Sequence, residues 1–315
     1  MLSVRNIGQA CLVLGVGGSF TPLLSYPALN WGDELSWALD LLTHWQLLWC
    51  SLAVLGMGLA GAKAATRRRA AGVATIGCVG LAVAGLSIQP GALSRLAPGA
   101  HEPPGLTVNV ASANLLYGSA DLKALRGWLN DTQADLVVLQ EVTPAAALQL
   151  AGWTEYKAKV MTPQEDGFGM AVFSRNEAAR VSWGVSYGTP FAVVKTQRGG
   201  VPFTFFGIHP PPPAKPSWHG LRNSLMEHLV EEAKLGSSIV AGDFNATPWS
   251  AGMPRRALFR ATSLMPTWLG VLPIDQIMAT SDWSVLDEGR GPDIGSDHRP
   301  VWARLTLKAN VGGGG

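Results

Sequence analysis

The stretch SIVAGDFN, Ser238 to Asn245, sets the fold class. Its apolar run ends in a glycine, an acid and an amide. This reads as a strand buried on both faces with polar groups at its tip. Before it, Leu221 to Leu235 has the period of an amphipathic helix. Further back, Phe191 to Gln197 and Val201 to Ile208, joined by Arg198, Gly199 and Gly200, read as a hairpin. Thr107 to Ala113 alternates as a strand, Asp121 to Asn130 carries Leu122, Leu125 and Leu129 at helical spacing, and Asp135 to Leu139 is a short buried strand. Downstream, Pro273 to Ala279 and Pro300 to Leu307 complete the strands. Hairpins mixed with βα units point to α/β layers around mixed sheets rather than a parallel barrel.

Almost every one of these strands stops at a group able to do chemistry. Val108 to Ala113 ends in Asn114, Leu136 to Gln140 in Glu141, Phe203 to Ile208 in His209, and Ile239 to Gly242 in Asp243 and Asn245. Ile274 leads into Asp275, and Asp297 and His298 precede the last strand. Singly, such endings read as Asx turns, helix caps, an exposed turn histidine at His209 or a core imidazole at His298. Six in one domain exceed what capping requires, and groups at neighbouring strand ends can converge in one crevice.

The first third has a different composition. No charged side chain occurs between Asn6 and Gly32, between Leu41 and Ala62, or between Ala70 and Ser94. Each run reaches the roughly 20 residues that cross a bilayer. Three spans are expected in residues 1–89. Pro22 and Pro27 break the far end of the first, leaving a helix from about Ile7 to Leu24, and the glycines and alanines of the third suit close helix packing. Lys63, Arg67, Arg68 and Arg69 lie in one short loop and Asp33, Glu34 and Asp40 in the other. The positive-inside rule keeps the basic loop in the cytoplasm and sends the chain after Gln89 to the opposite side. Residues 90–105, rich in Pro and Gly, read as a linker, 106–308 as the domain bearing the strand-end groups, and 309–315 as a flexible tail.

Charge and cysteines narrow the function. From Leu106 onward 18 Lys and Arg face 18 Asp and Glu, so no nucleic-acid-coating surface is indicated. Cys11, Cys50 and Cys78 all lie in the apolar third, which excludes a disulfide framework and disfavours a thiol nucleophile.

Asn114 in SAN, Glu141 in LQEV, His209 in GIHPPPP, Asp243 and Asn245 in GDFNATPWS, Asp275 in IDQI, and Asp297 and His298 in GSDHRPV occur in an order that resembles the endonuclease/exonuclease/phosphatase superfamily, the deoxyribonuclease I-like fold. The resemblance extends from about Thr107 to Leu305, and the apolar front end is similar to membrane-anchored bacterial members. It implies a four-layer α/β sandwich of two mixed β-sheets flanked by helices, here behind an N-terminal transmembrane region. It also implies a Mg2+- or Mn2+-dependent hydrolase of phosphoric ester bonds. Gln276 departs from the pattern, since many relatives carry His or Tyr after that Asp.

The residue types suit such a reaction. Hydroxide is repelled by a phosphodiester, so the catalyst needs a cation, a base for water and donors for the transition-state oxygens. Glu141 is the expected metal ligand, with Asn114 completing the shell or holding the phosphate, and Asp297 a second ligand. His298 is the expected general base and Asp275 its orienting partner. Asp243 positions the water or the leaving group, while Asn245 and His209 donate to the phosphoryl oxygens. Arg222 reads as part of a solvated helix face, and Trp249 and Trp268 as packing.

The expected protein is a multi-pass protein of the bacterial inner membrane with a periplasmic catalytic domain. Its substrate is a phosphodiester of lipid or envelope origin. Alternatives are a nuclease acting on extracytoplasmic nucleic acid and a non-catalytic module that binds a phosphorylated ligand. Nothing in the sequence points to a protein partner.

Overall fold

A computed structural model describes residues 3–28, 33–88, 91, 106–255 and 257–308. The expected linker, apart from Gly91, and the expected tail beyond Lys308 lie outside the described residues. The chain folds as two compact units: one comprises Met1–Gln89 with Pro213–Gly220 and Ala246–Met253, the other Pro90–Pro212, Leu221–Asn245 and Pro254–Gly315.

In the first unit the helices are α1 (Val4–Ser19), α2 (Thr21–Ala28), α3 (Asp33–Thr43), α4 (Gln46–Ala62) and α5 (Arg67–Leu86). Two stretches, Val4–Pro27 and Arg67–Leu86, are long and apolar enough to cross a membrane; a third exists if α3 and α4, bent by 55° at their junction, form one span. The interruption in the first run falls at Phe20, ahead of both prolines, and Pro27 lies inside α2. Small residues bring the helices together in both α1–α4 and the Gly/Ala-rich α5, where Gly77, Gly80 and Ala84 are buried and a Cβ on Gly77 would come within 2.1 Å of the Met57 sulfur. A Cβ on Gly15 would come within 2.2 Å of the Ala53 nitrogen, and one on Gly56 within 2.4 Å of the Leu12 nitrogen. Backbones this close allow van der Waals packing without any side chain between them.

The second unit contains the strands. Sheet one runs β11 (Trp283–Arg290), β12 (Val301–Leu307), β1 (Thr107–Asn114), β2 (Leu136–Gln140), β4 (Met170–Ser174), β3 (Ala158–Thr162). Sheet two runs β5 (Arg180–Ser186), β6 (Thr189–Arg198), β7 (Val201–Ile208), β8 (Ser238–Asp243), β10 (Asp275–Ala279), β9 (Phe259–Arg260). Each sheet is mixed: β1 with β2 and β7 with β8 are parallel, and the other pairs are antiparallel.

Period-two alternation divides each strand between two cores. Val108, Val110, Leu136 and Val138 point between the sheets to meet Phe205, Ile239 and Ile277. Ala111, Ala113, Val137 and Leu139 face the other way. There Leu125 and Leu129 of α6 (Leu122–Asp131) and Leu150 of α7 (Pro144–Ala151) cover sheet one. Asp121 caps α6 by accepting from the Lys123 and Ala124 amides, and Thr143 caps α7 ahead of Pro144. On sheet two, Phe191 meets His228 of α8 (Pro216–Ala233), and Leu225, Met226 and Leu229 are buried. The expected two mixed sheets flanked by helices are present. The sequence reading omitted β3, β4, β5, β9 and β11, and began α8 five residues late.

Candidate active site

Topology gathers the strand ends. In the two parallel pairs both carboxyl ends lie at the same rim: Asn114 is opposite Gln140, which precedes Glu141, and Ile208 is opposite Gly242, which places His209 beside Asp243. Antiparallel neighbours begin where these end. Asp275, the first residue of β10, is directly opposite Asp243, and His298 precedes β12, which runs antiparallel to β1. Gly242 is required by close approach, because a Cβ there would come within 2.0 Å of the Ile208 carbonyl oxygen.

Side-chain contacts bring the two sheets to one point. Asn114 Nδ2 donates to Glu141 Oε1 at 3.0 Å and to Asp243 Oδ2 at 3.2 Å. The Tyr117 amide donates to Glu141 Oε2 at 3.0 Å, and the Leu116 amide to Asn114 Oδ1 at 3.0 Å. His298 Nδ1 lies 2.7 Å from Asp275 Oδ2, with Nε2 3.8 Å from Asp243 Oδ2 and 4.0 Å from Asp297 Oδ1. His209 Nε2 stands 3.6 Å from Asp243 Oδ2. The Asn245 amide donates to Asp243 Oδ1 at 2.8 Å, and its side chain donates to the Pro210 carbonyl at 3.0 Å. Asn114, Glu141, His209, Asp243, Asn245, Asp275, Asp297 and His298 are therefore joined by one set of contacts.

The site holds strain and unmet hydrogen-bonding capacity. Glu141 and Asn245 have φ of +57° and +46°, a region costly for residues other than glycine and typical of functional positions. Among the described residues, Asp275 Oδ1, Asp297 Oδ1 and His209 Nδ1 are buried without a hydrogen-bond partner. Atoms of this kind also occur away from the site, at Tyr156 Oη and Trp283 Nε1, so at the rim it is their convergence with the other acids and imidazoles that gives capacity for a ligand.

Charge is redistributed accordingly. Burial works against ionisation of Asp243, but the His298 charge and the nearby His209 outweigh it and hold its carboxyl below the usual range. For Asp275 burial prevails, with Asp243 adding repulsion, and its pKa is raised despite His298. Burial alone would lower the His298 pKa; the charges of Asp275 and Asp243 reverse that and push it up to about 10. Asp243, Asp275 and His298 each offer one atom within 4.8 Å of the others and can hold a metal ion.

A family model described as Endonuclease/Exonuclease/phosphatase matches residues 106–298, well over half of the chain. The chain belongs to that family. Similar solved structures include D. rerio TDP2 complexed with single strand DNA product, at 14% identity over 64% of this chain and 99% of that one, with a TM-score of 0.51. A family protein from Bacteroides thetaiotaomicron is 16% identical over 65% and 100%, TM-score 0.51, and one from Bacteroides vulgatus 18% identical over 64% and 99%, TM-score 0.51. At these identities the likeness is one of fold. No curated protein sequence matches this chain significantly.

Two side chains, Arg222 and Trp268, depart from their sequence reading. His209 is buried, in place of the exposed turn that a strand-ending histidine taken singly suggests. Arg222 is fully buried, and its Nη1 donates to the Asn245 carbonyl at 2.9 Å, so it is no part of a solvated face. The signal was present: Arg222 shares a helical stripe with Leu225, Leu229 and Ala233, and a charge on an apolar stripe points inward. Trp268 does more than pack, since its Nε1 donates to Asp297 Oδ2 at 3.0 Å. Gln276, which departs from the family pattern, is buried and donates to the Pro273 carbonyl at 3.3 Å. One residue was missed altogether. Thr267 Oγ1 accepts from the Asp275 amide at 3.1 Å and the Ile274 amide at 3.2 Å, fixing the start of β10.

Proposed function

We propose that the chain is a membrane-anchored, divalent-metal-dependent phosphodiesterase in which His298 deprotonates the attacking water. The observation that carries this reading is the His298–Asp275 contact of 2.7 Å, with His298 Nε2 turned toward Asp243. That bond fixes the tautomer and ring orientation, leaving Nε2 to accept a proton. Asp243, receiving the Asn245 amide, orients the water or leaving group. Asn245 and His209 donate to the phosphoryl oxygens as charge develops there.

The donor set fits a hard cation, which takes carboxylate oxygens. Glu141 would hold Mg2+ or Mn2+ together with Asn114 and Asp297, whose buried Oδ1 has no donor among the described residues. Placing the ion on Asp243, Asp275 and His298 would disturb the His298–Asp275 bond, so we assign it to the Glu141 side. Bound there, such an ion would offset the charge of the ester, and its positive charge would favour the neutral form of the neighbouring His298 imidazole.

For substrate we favour a lipid or envelope phosphodiester. The even balance of acids and bases after Leu106 argues against tracking a nucleic acid strand. The nuclease alternative draws support from the D. rerio TDP2 structure and its single strand DNA product. A mere binding module is disfavoured because every expected catalytic position is filled.

We further assign the catalytic domain to the periplasmic side of a bacterial inner membrane. Lys63 and the arginines Arg67 to Arg69 that open α5 support this. Within the first unit, Trp37 of α3 donates to the Pro213 carbonyl at 2.7 Å, and Trp249 to the Ala84 carbonyl near the end of α5 at 2.8 Å.

The test uses the full chain in micelles with bis(p-nitrophenyl) phosphate. Mg2+ or Mn2+ should support turnover, and EDTA, His298→Ala and Glu141→Ala should each lower kcat by about 10²–10⁴-fold. Turnover that survives all three would overturn the proposal. Comparing an oligonucleotide with phospholipid vesicles separates the two substrate classes.

A further inference from the structure

Asp40 is fully buried in the helical unit, takes no part in the hydrolytic chemistry, and lies 2.8 Å from two donors supplied by distant sequence. Oδ2 accepts from the Ser250 hydroxyl at 2.8 Å and lies 3.2 Å from His219 Nε2. Oδ1 accepts from the Ala251 amide at 2.8 Å and from the Thr43 hydroxyl at 3.4 Å. Removing a carboxylate from water costs several kcal/mol unless donors replace the hydration. Here donors come from both inserted segments, Pro213–Gly220 and Ala246–Met253.

Those segments continue directly from the site. Asn245 is followed by Ala246 with no residue between, so only four residues separate the proposed phosphate donor Asn245 from Ser250. His209 leads through four prolines and five further residues to His219 in the first turns of α8. Three residues beyond His219, Arg222 donates back to the Asn245 carbonyl at 2.9 Å. Polyproline is stiff, and a left-handed Asn245 has little freedom, so a constraint at either far end is passed along the backbone.

We infer that Asp40 is a positioning residue for hydrolysis: it clamps the segments that follow His209 and Asn245 and so sets where both donors point. This rests on the proposed hydrolytic reading. The helical unit then supplies part of the catalytic precision in addition to any anchoring.

The test compares Asp40→Ala, Asp40→Asn and Ser250→Ala with wild type, all as full chains in micelles, by steady-state kinetics on bis(p-nitrophenyl) phosphate and by hydrogen exchange over 244–253. Misplacing a reacting group by about 1 Å can cost on the order of 10²-fold. Asp40→Ala should lower kcat by about 10- to 100-fold with KM changed less than about threefold, because donors aimed at the transition state are disturbed. It should also speed exchange at 244–253. Asp40→Asn should restore most of the loss, since one oxygen remains for the Ala251 amide and Ser250 can turn to accept. If Asp40→Ala does not fold, Ser250→Ala, which removes one donor, should show the same exchange change in smaller degree. Unchanged exchange in the folded variants, or equal kcat losses in the Ala and Asn variants, overturns the clamp. A wild type that hydrolyses no diester while Asp40→Ala still loosens 244–253 sinks the hydrolytic reading and leaves the clamp in place.

Discussion

Two carboxylates at the rim of the sandwich and one in the helical unit differ in how their oxygens are met. At the rim of the sandwich, Asp275 and Asp297 each keep one buried oxygen without a donor among the described residues. In the helical unit, both oxygens of Asp40 are supplied. A buried acid with its hydrogen bonds met adds rigidity, whereas one with an unmet oxygen costs stability and is tolerated where a ligand completes it. The contrast holds between these particular residues and not for every acid at the rim, since Asp243 and Glu141 have donors on both oxygens as Asp40 does.

Replacing Asp297 by Asn tests the rim half of this comparison most severely. We expect kcat/KM to fall by about 10²-fold, while the unfolding free energy of the metal-free protein in urea changes by less than about 1 kcal/mol. A large loss of stability with little loss of rate would reverse the contrast. In the helical unit, Gly15→Val places side-chain atoms against the Ala53 backbone and should cost about 1–3 kcal/mol, read as a lower midpoint in thermal unfolding, with kcat falling only as folded protein is lost.

Linkage offers a third measurement. The His298 pKa is raised in the fold, from the ordinary 6.5 to about 10. The stability it contributes is therefore fully present below pH 6.5 and is lost as pH rises through about 10. Urea midpoints in EDTA should decline across that window, and the decline should be shallower in His298→Ala. An identical slope in the two proteins would mean that the imidazole is not the proton store. The smallest effect is expected from Trp268→Phe, which removes the donor to Asp297 Oδ2 while keeping an aromatic ring. A fall of about fivefold in kcat/KM, or roughly 1 kcal/mol, would fit one lost hydrogen bond.

Much of the sandwich was legible because its strands are apolar runs closed by polar residues. β7 and β8 were readable to within two residues of their limits, and α6 was marked by its Asp121 cap. The omitted strands have weaker signals. β3 is a half-exposed edge strand with little alternation, β5 an edge strand that alternates but is buried only at Ser186, and β11 carries a bulge after Val285 that interrupts its period. Of the residues supporting the site, Arg222 was detectable from the apolar stripe it occupies. Thr267 was not: a hydroxyl accepting two amides leaves no mark on sequence spacing.

The sequence by itself determined the two compositions of the chain, the strand cores and the identity of the eight polar residues at strand ends, because hydrophobic period and residue chemistry are local properties. Only the tertiary structure decided that Asn114 reaches from one sheet to Asp243 on the other, that His298 meets Asp275 rather than Asp297, and that Asp40 is bound by residues more than 170 positions away. Pairings of that kind depend on strand register and on which segments pack together, and loop closure over such distances is governed by the whole fold instead of by neighbouring residues.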